Sequence, residues 1–208
     1  MEKEYYLLDG EEKTGPFTYR ELVENGLKTD TQLSSAFSDK WQYASEMPEF
    51  IDYFKSTGIY FPTGDNLAGF GVRAGAFIVD YLILFIPIEI IFFKLGIIKI
   101  PSQADGFTMP SQDVMLQLQA WFAGVFLIYR TVCEISPLKG SIGKKAFNLV
   151  VVNVDGESPS FLQTLGRNMG SLLSFTLLYG LPYLSMLFSE HRQTWYDYVA
   201  KTYTVKTK

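Results

Sequence analysis

The chain has 208 residues, with 48% hydrophobic side chains, 16% aromatic ones and a net charge of −4, enough for one medium domain or two small ones. An acidic balance without a clustered basic surface argues against nucleic acid as a main partner. A single cysteine (Cys133) and a single histidine (His191) exclude a disulfide framework, a thiolate metal site and any multi-histidine centre.

The charge is uneven along the chain. Residues 1–57 carry 6 Lys+Arg against 12 Asp+Glu, whereas residues 58–208 carry 12 against 10 over a far more apolar stretch. An acidic head on an apolar body follows. Met1-Glu2-Lys3-Glu4 has no apolar core behind it and does not read as a secretory signal. Glu4–Asp9, with Tyr5, Tyr6, Leu7 and Leu8, reads as a strand, and Asp9-Gly10 as a turn. Thr18 followed by Glu21 is a capping-box pattern, opening a helix that should end near Gly26. Gln32–Phe37 is a second expected strand, Asp39-Lys40 a turn and Trp41–Ala44 a third strand, after which Ser45 is expected to cap a short helix through Phe54. The expectation is a small α+β soluble domain over residues 1–54.

Tyr5-Tyr6, Gly15-Pro16-Phe17, Leu22 and Trp41 with Tyr43 resemble the GYF-type adaptor domain in its bacterial variant, over about residues 4–52. The resemblance implies a protein-interaction module that takes proline-rich peptides on an aromatic surface, since polyproline is already ordered before it binds. Tyr5, Tyr6, Gly15, Pro16, Phe17 and Trp41 are the partner-binding candidates, for a cytoplasmic protein. The second Gly-Tyr-Phe signature after the tryptophan is absent. The rings of Tyr6, Phe17 and Trp41 read equally well as core.

Residues 55–71 are rich in Gly, Pro and polar side chains and read as a linker to a membrane domain over residues 72–208. Val72–Phe93 is an apolar run long enough to cross a bilayer, and Leu118–Ile135 is a second. A third, Met169–Phe188, is broken at Gly180-Leu181-Pro182. The expected fold is an α-helical integral membrane domain of two firm spans plus a third broken or re-entrant segment. Lys139, Lys144, Lys145 and Arg167 follow the second span, against Lys94 and Lys99 between the first two. By the positive-inside rule the head and residues 137–168 are expected in the cytoplasm of a multi-pass, bacterial inner-membrane protein. Asn148–Val154 alternates and is closed by Asp155-Gly156, a turn signal. Thr202–Thr207 also alternates and pairs with it only from the same side. We therefore expect a small cytoplasmic β-hairpin and a cytoplasmic tail; three full spans would instead put the tail outside.

Ionisable residues near the centre of a span each cost about 2.5–3.5 kcal/mol and need a partner or a task. The first span carries Arg73, Asp80 and Glu89, and the second ends in Arg130 and Glu134. Arg73 and Asp80, seven apart, share a helical face, as do Arg130 and Glu134. Antiparallel depth matching predicts two crossed ion pairs, Arg73–Glu134 and Asp80–Arg130. Glu89 points away from Asp80, toward another interface or Lys94. Asp80 reads either as a cation or proton site or as half of a helix lock. Gly140-Ser141-Ile142-Gly143-Lys144-Lys145 lacks the distant first glycine of a phosphate loop, and Lys145 stands where Ser or Thr should follow the lysine. It reads as a basic turn at the membrane surface.

Arg73 with Ala76 and Asp80, that glycine–lysine run, Arg167-Asn168, and Arg192 with Asp197 and Thr202 resemble the RDD family over about residues 66–206. Arg73, Asp80 and Asp197 stand at the positions for which the family is named; Tyr196 stands where it usually has a small residue or histidine. The resemblance implies transport, cation/proton exchange included. Asp197 is expected to accept hydrogen bonds from Arg192 or Arg167, docking the tail. Two readings remain: cation/proton or small-solute transport by a homo-oligomer, or a non-transporting anchor that recruits a cytoplasmic partner through the acidic head. No nucleophile–base pair, metal cluster or cofactor loop is visible, so neither enzyme activity nor a cofactor is expected.

Overall fold

A computed structural model describes residues 3–9, 12–35, 40–96 and 111–208. The turns expected at Asp9-Gly10 and Asp39-Lys40, the end of the Gln32–Phe37 strand, and Lys99 fall wholly or partly outside the described residues. Two compact units are present: residues 1–61 with 155–157, and residues 62–154 with 158–208.

The first unit contains β1 (Glu4–Asp9), β2 (Glu12–Thr18), α1 (Tyr19–Glu24), β3 (Gln32–Ser35), β4 (Gln42–Tyr43), two single 3-10 turns and α2 (Ile51–Ser56). The antiparallel sheet has the order β2-β1-β3-β4. Sequence reading missed β2, because Gly15-Pro16 argues against a strand. The strand survives at the sheet edge, where a proline need not donate to a neighbour, and its register with β1 shifts between Tyr5 and Leu7. Gly15 has φ +134°, and a Cβ there would sit 2.9 Å from the Tyr5 carbonyl, so glycine is required. The capping box of α1 is formed: Thr18 Oγ1 accepts from the Glu21 N–H and Glu21 accepts from the Thr18 N–H at 2.8 Å. No helix runs continuously from Ser45. Pro48 cannot donate a backbone bond, and the chain steps through 3-10 turns at 44–46 and 48–50 before α2 begins. The core is Tyr5, Leu22, Leu33, Phe50 and Phe54, with Ile59 and Phe61 packed on it, so the expected linker loses its first residues to this core.

The second unit contains α3 (Phe70–Lys94), α4 (Gln112–Ile135), α5 (Ile142–Ala146), β5 (Leu149–Asn153), α6 (Phe161–Leu178), a 3-10 segment (Leu181–Leu187), α7 (Trp195–Val199) and β6 (Thr202–Lys206). Among the described residues two helices, α3 and α4, are long and apolar enough to cross a membrane. Only 11% and 22% of their most apolar windows is buried. Ile78, Leu82, Ile86 and Ile90 on α3, and Leu116, Trp121 and Ile128 on α4, are therefore exposed, unlike the side chains of a core helix in a soluble protein. The two helices meet along an aromatic seam, with ring centroids 5.6 Å apart for Phe77–Phe126 and 5.1 Å for Tyr81–Phe122.

The third apolar segment is interrupted as its glycine and proline suggest. α6 stops at Leu178, Tyr179 and Gly180 take positive φ, and the chain continues as a 3-10 segment before turning back. Trp195 of α7 then lies beside α6 again, its Nε1 donating to Ser174 Oγ at 2.8 Å. β5 and β6 pair antiparallel from Leu149↔Lys206 to Asn153↔Thr202. The expected hairpin is thus a ladder between strands distant in sequence, and the turn at Asp155-Gly156 does not connect them. Leu149, Val150, Val151, Val152 and Val205 are buried there, and Leu67 bridges to Val205.

Candidate functional site

Helical spacing puts Arg73, Ala76 and Asp80 on the one buried face of α3. α5 packs directly on that face. The Asp80 carboxylate accepts from the Tyr129 hydroxyl at 2.8 Å, from the Gly143 N–H at 2.7 Å and from the Ser141 hydroxyl. Ser141 is also the N-cap of α5. A Cβ at Gly143 would overlap the Ala76 carbonyl and lie 2.8 Å from Asp80 Cγ, so the close approach of α5 to α3 depends on glycine. The glycine–lysine run is therefore not simply a basic surface turn. Lys145 is exposed, but Ser141, Gly143 and Lys144 are buried parts of the cluster.

Glu134, fully buried at the end of α4, is held by the Lys144 ammonium, by Arg167 Nη1 at 3.0 Å, by Asn168 Nδ2 at 3.2 Å and, more loosely, by Arg130 Nη2 at 3.7 Å. Asp197, at the start of α7, receives Arg73 Nη1 and Arg167 Nε, each at 2.6 Å. It also completes the capping box of its own helix with Thr194. Arg167 thus bridges both carboxylates and adds a bond from Nη2 to Thr204 of β6 at 3.0 Å. Burial alone would raise the pKa of Asp197; the charges of Arg167 and Arg73 outweigh it and hold the carboxyl well below the usual range. Burial pushes the Lys144 ammonium down to about 7, with Glu134 opposing and Arg167 and Arg130 reinforcing.

The crossed pairs expected from depth are not formed. Arg73 goes to Asp197 rather than Glu134, and Arg130 goes to Glu134 and Ser171 rather than Asp80. Depth along two helices does not fix which faces meet, and at Asp80 the facing element is α5, which supplies neutral donors. Arg192 bonds the Leu67 carbonyl at 2.9 Å, so of the two expected tail-docking arginines only Arg167 reaches Asp197. Glu89 is half-buried nine residues beyond Asp80, outside the cluster. Spacing arguments overlooked Tyr129, Ser141, Gly143, Lys144, Asn168 and Ser171. Ser141 three residues before Lys144 was a visible N-cap pattern, and it was the available clue.

Beside the cluster lies a cavity of about 180 Å³. Phe70, Phe77, Phe175 and Tyr183 form apolar walls, and Arg73 and Arg130 are among its charged residues. Arg73 Nε and Nη2 and Arg130 Nε are buried without a hydrogen-bond partner. Among the described residues, no group of three His, Cys, Asp or Glu converges as for a metal.

In the first unit the partner-binding candidates separate. Tyr5 is core, 1% exposed, with its hydroxyl on Glu49 at 3.1 Å; burial, then the Glu49 charge, pushes its pKa up to about 12. Gly15 and Pro16 are exposed, Phe17 and Trp41 are half-buried, and the half-buried Tyr6 ring carries Lys13 Nζ 4.0 Å above it.

Residues 67–201 match the sequence profile of the RDD family, a span that contains Arg73, Asp80, Glu134, Lys144, Arg167 and Asp197 and leaves the first unit outside it. The chain is 28% identical over 147 residues to YxaI of Bacillus subtilis (strain 168), covering 66% of this chain and 96% of that protein. It is 26% identical over 140 residues to YckC of the same organism, covering 65% and 82%. Both relatives are described as uncharacterized proteins. No solved structure matches. With most of its length matched, and with Arg73 and Asp80 on α3 and Asp197 on α7, the chain belongs to the RDD family.

Proposed function

We propose that this is a multi-pass inner-membrane protein that moves a small solute, with the cavity beside the charge cluster as the solute site and the N-terminal unit as a GYF-like interaction module in the cytoplasm. The observation that carries the reading is a cavity flanked by buried charge, in a unit whose longest helices turn their apolar side chains outward. Intramembrane charge is expensive and commonly marks a path. The β5–β6 ladder supports a tail on the same side as residues 149–153, since paired strands cannot lie across a bilayer from each other. On that topology α6 and the 3-10 segment dip in and return, and the basic residues after α4 support a cytoplasmic side for both strands. Two crossing helices and one folded-back segment do not enclose a continuous path, so a cyclic homo-oligomer is part of the proposal. No catalytic role is assigned to any residue.

A second reading has one specific support. Asp80, Glu134 and Asp197 are each held by several donors, as in a helix lock, and a locked platform suits an anchor that recruits a protein through the first unit.

The test is flux into liposomes holding a pH-sensitive dye, under gradients of sodium, potassium or phosphate. Transport predicts a signal above protein-free liposomes that is lost when Ala74→Leu fills the cavity of the folded protein. A silent assay with all three gradients, from protein shown to be inserted, removes the transport reading and leaves the anchor.

A further inference from the structure

Among the described residues, the buried charged side chains of the second unit are four cations and three carboxylates. The three carboxylates are saturated: Asp80 by neutral donors, Glu134 and Asp197 by arginine and lysine. The cations are not. Arg73 uses only Nη1, on Asp197, and Arg130 leaves Nε free while reaching Ser171 at 3.2 Å. Arg73 and Arg130 are 6% and 8% exposed, and both line the same cavity, together with Lys144, Arg167 and Asp80. Buried guanidinium N–H groups without acceptors are costly and need an occupant that accepts. The pressure that lowers Lys144 shares this origin, because burial and two neighbouring arginines act on it together.

Resting on the reading of this cavity as the solute site, we propose that it binds an oxyanion, phosphate or carboxylate in type, gripped by Arg73 and Arg130. Asp80 takes no part as a cation ligand, since its oxygens are already committed to Tyr129, Ser141 and Gly143. A guanidinium fork donates two parallel bonds to a planar or tetrahedral oxyanion, whose two oxygens match the spacing of the fork as a single chloride ion does not. The walls of Phe70, Phe77 and Phe175 fit an apolar group attached to that anion, so the shared chemistry is an anionic head that is either free in solution or the headgroup of an amphiphile.

The experiment is thermal unfolding of the full chain in detergent, at constant ionic strength, titrated with inorganic phosphate or with short-chain phosphatidic acid against a chloride control. The expected result is saturable stabilisation by at least one of the two. Phosphate alone identifies a soluble anion, the lipid alone identifies an amphiphile, and both identify the head as the determinant. Arg130→Gln, which keeps a donor for Ser171, should weaken the response at least tenfold. Ala74→Leu, on the cavity wall, should abolish it with every charge retained, and it carries the test if the arginine variant does not fold. No stabilisation by either probe, or equal stabilisation of wild type and Ala74→Leu, overturns the proposal. Anion binding without liposome flux keeps this site and removes transport; flux without anion binding does the reverse.

Discussion

The two units of this chain solve burial in opposite ways. The first closes around Tyr5, Leu22, Leu33, Phe50 and Phe54 and leaves ion pairs such as Arg20–Glu24 on its surface, where both partners are well exposed. The second buries seven charged side chains and exposes isoleucine, leucine and phenylalanine. On the proposed membrane topology a single polypeptide carries both patterns because the medium around each differs. Where water is the surroundings, apolar area is removed from it. Where hydrocarbon is the surroundings, apolar area gains nothing by hiding, and polar groups must find each other.

Identical chemistry should therefore carry different weight in the two units. Glu134→Gln removes the carboxylate that faces Lys144, Arg167 and Arg130, and should cost about 3–5 kcal/mol, read as a large fall in melting temperature in detergent. A melt close to wild type would break the comparison. Acid should act next. The folded pKa of Asp197 lies below its unfolded value, so its contribution is complete above about pH 4 and is lost as pH falls further. Melting temperature should drop below that pH in wild type, with a shallower slope in any Asp197→Asn protein that folds. Gly143→Ala, which forces α5 away from α3, should cost about 1–3 kcal/mol and perturb the environment of Tyr129 and Asp80 together. In the first unit Thr18→Ala removes the cap of α1, at about 1 kcal/mol, measured as faster amide exchange confined to that helix. Smallest of all, Glu24→Gln breaks an exposed i,i+4 pair and should change stability by less than about 0.5 kcal/mol. A loss there comparable to that of Glu134→Gln would erase the distinction between the units.

What could be read in advance followed the range of the interactions. Thr18 and Glu21 announced α1 because a capping box is local, and the β1 boundaries followed from one short aromatic and apolar stretch. The two helices that could span a membrane were visible as length and apolarity, and the break at Gly180 as backbone chemistry. The partners of the buried charges were not. Arg73 and Asp197 are 124 residues apart, and no periodicity relates them. The edge strand β2 was hidden by Gly15-Pro16, whose propensity points the other way and whose place is granted only by the sheet around it. The cradle for Asp80 was missed because two of its donors are a backbone N–H and a small hydroxyl, groups that any loop contains. Asp197 was expected to meet Arg192 or Arg167; Arg167 reaches it, Arg192 does not, and Arg73 was not foreseen.

The separation of Arg73 from Asp197 also sets an order of events during synthesis. At ribosomal rates the separation of 124 positions takes roughly 6–25 s to emerge. Throughout that interval the first long helix exists with its arginine uncompensated by the aspartate that will hold it. A nascent chain stalled before α7 would present an unpaired guanidinium inside an apolar unit, a distinctive mark of incompleteness. Pairing with Asp197 is thus the step at which a finished molecule first differs electrostatically from an unfinished one.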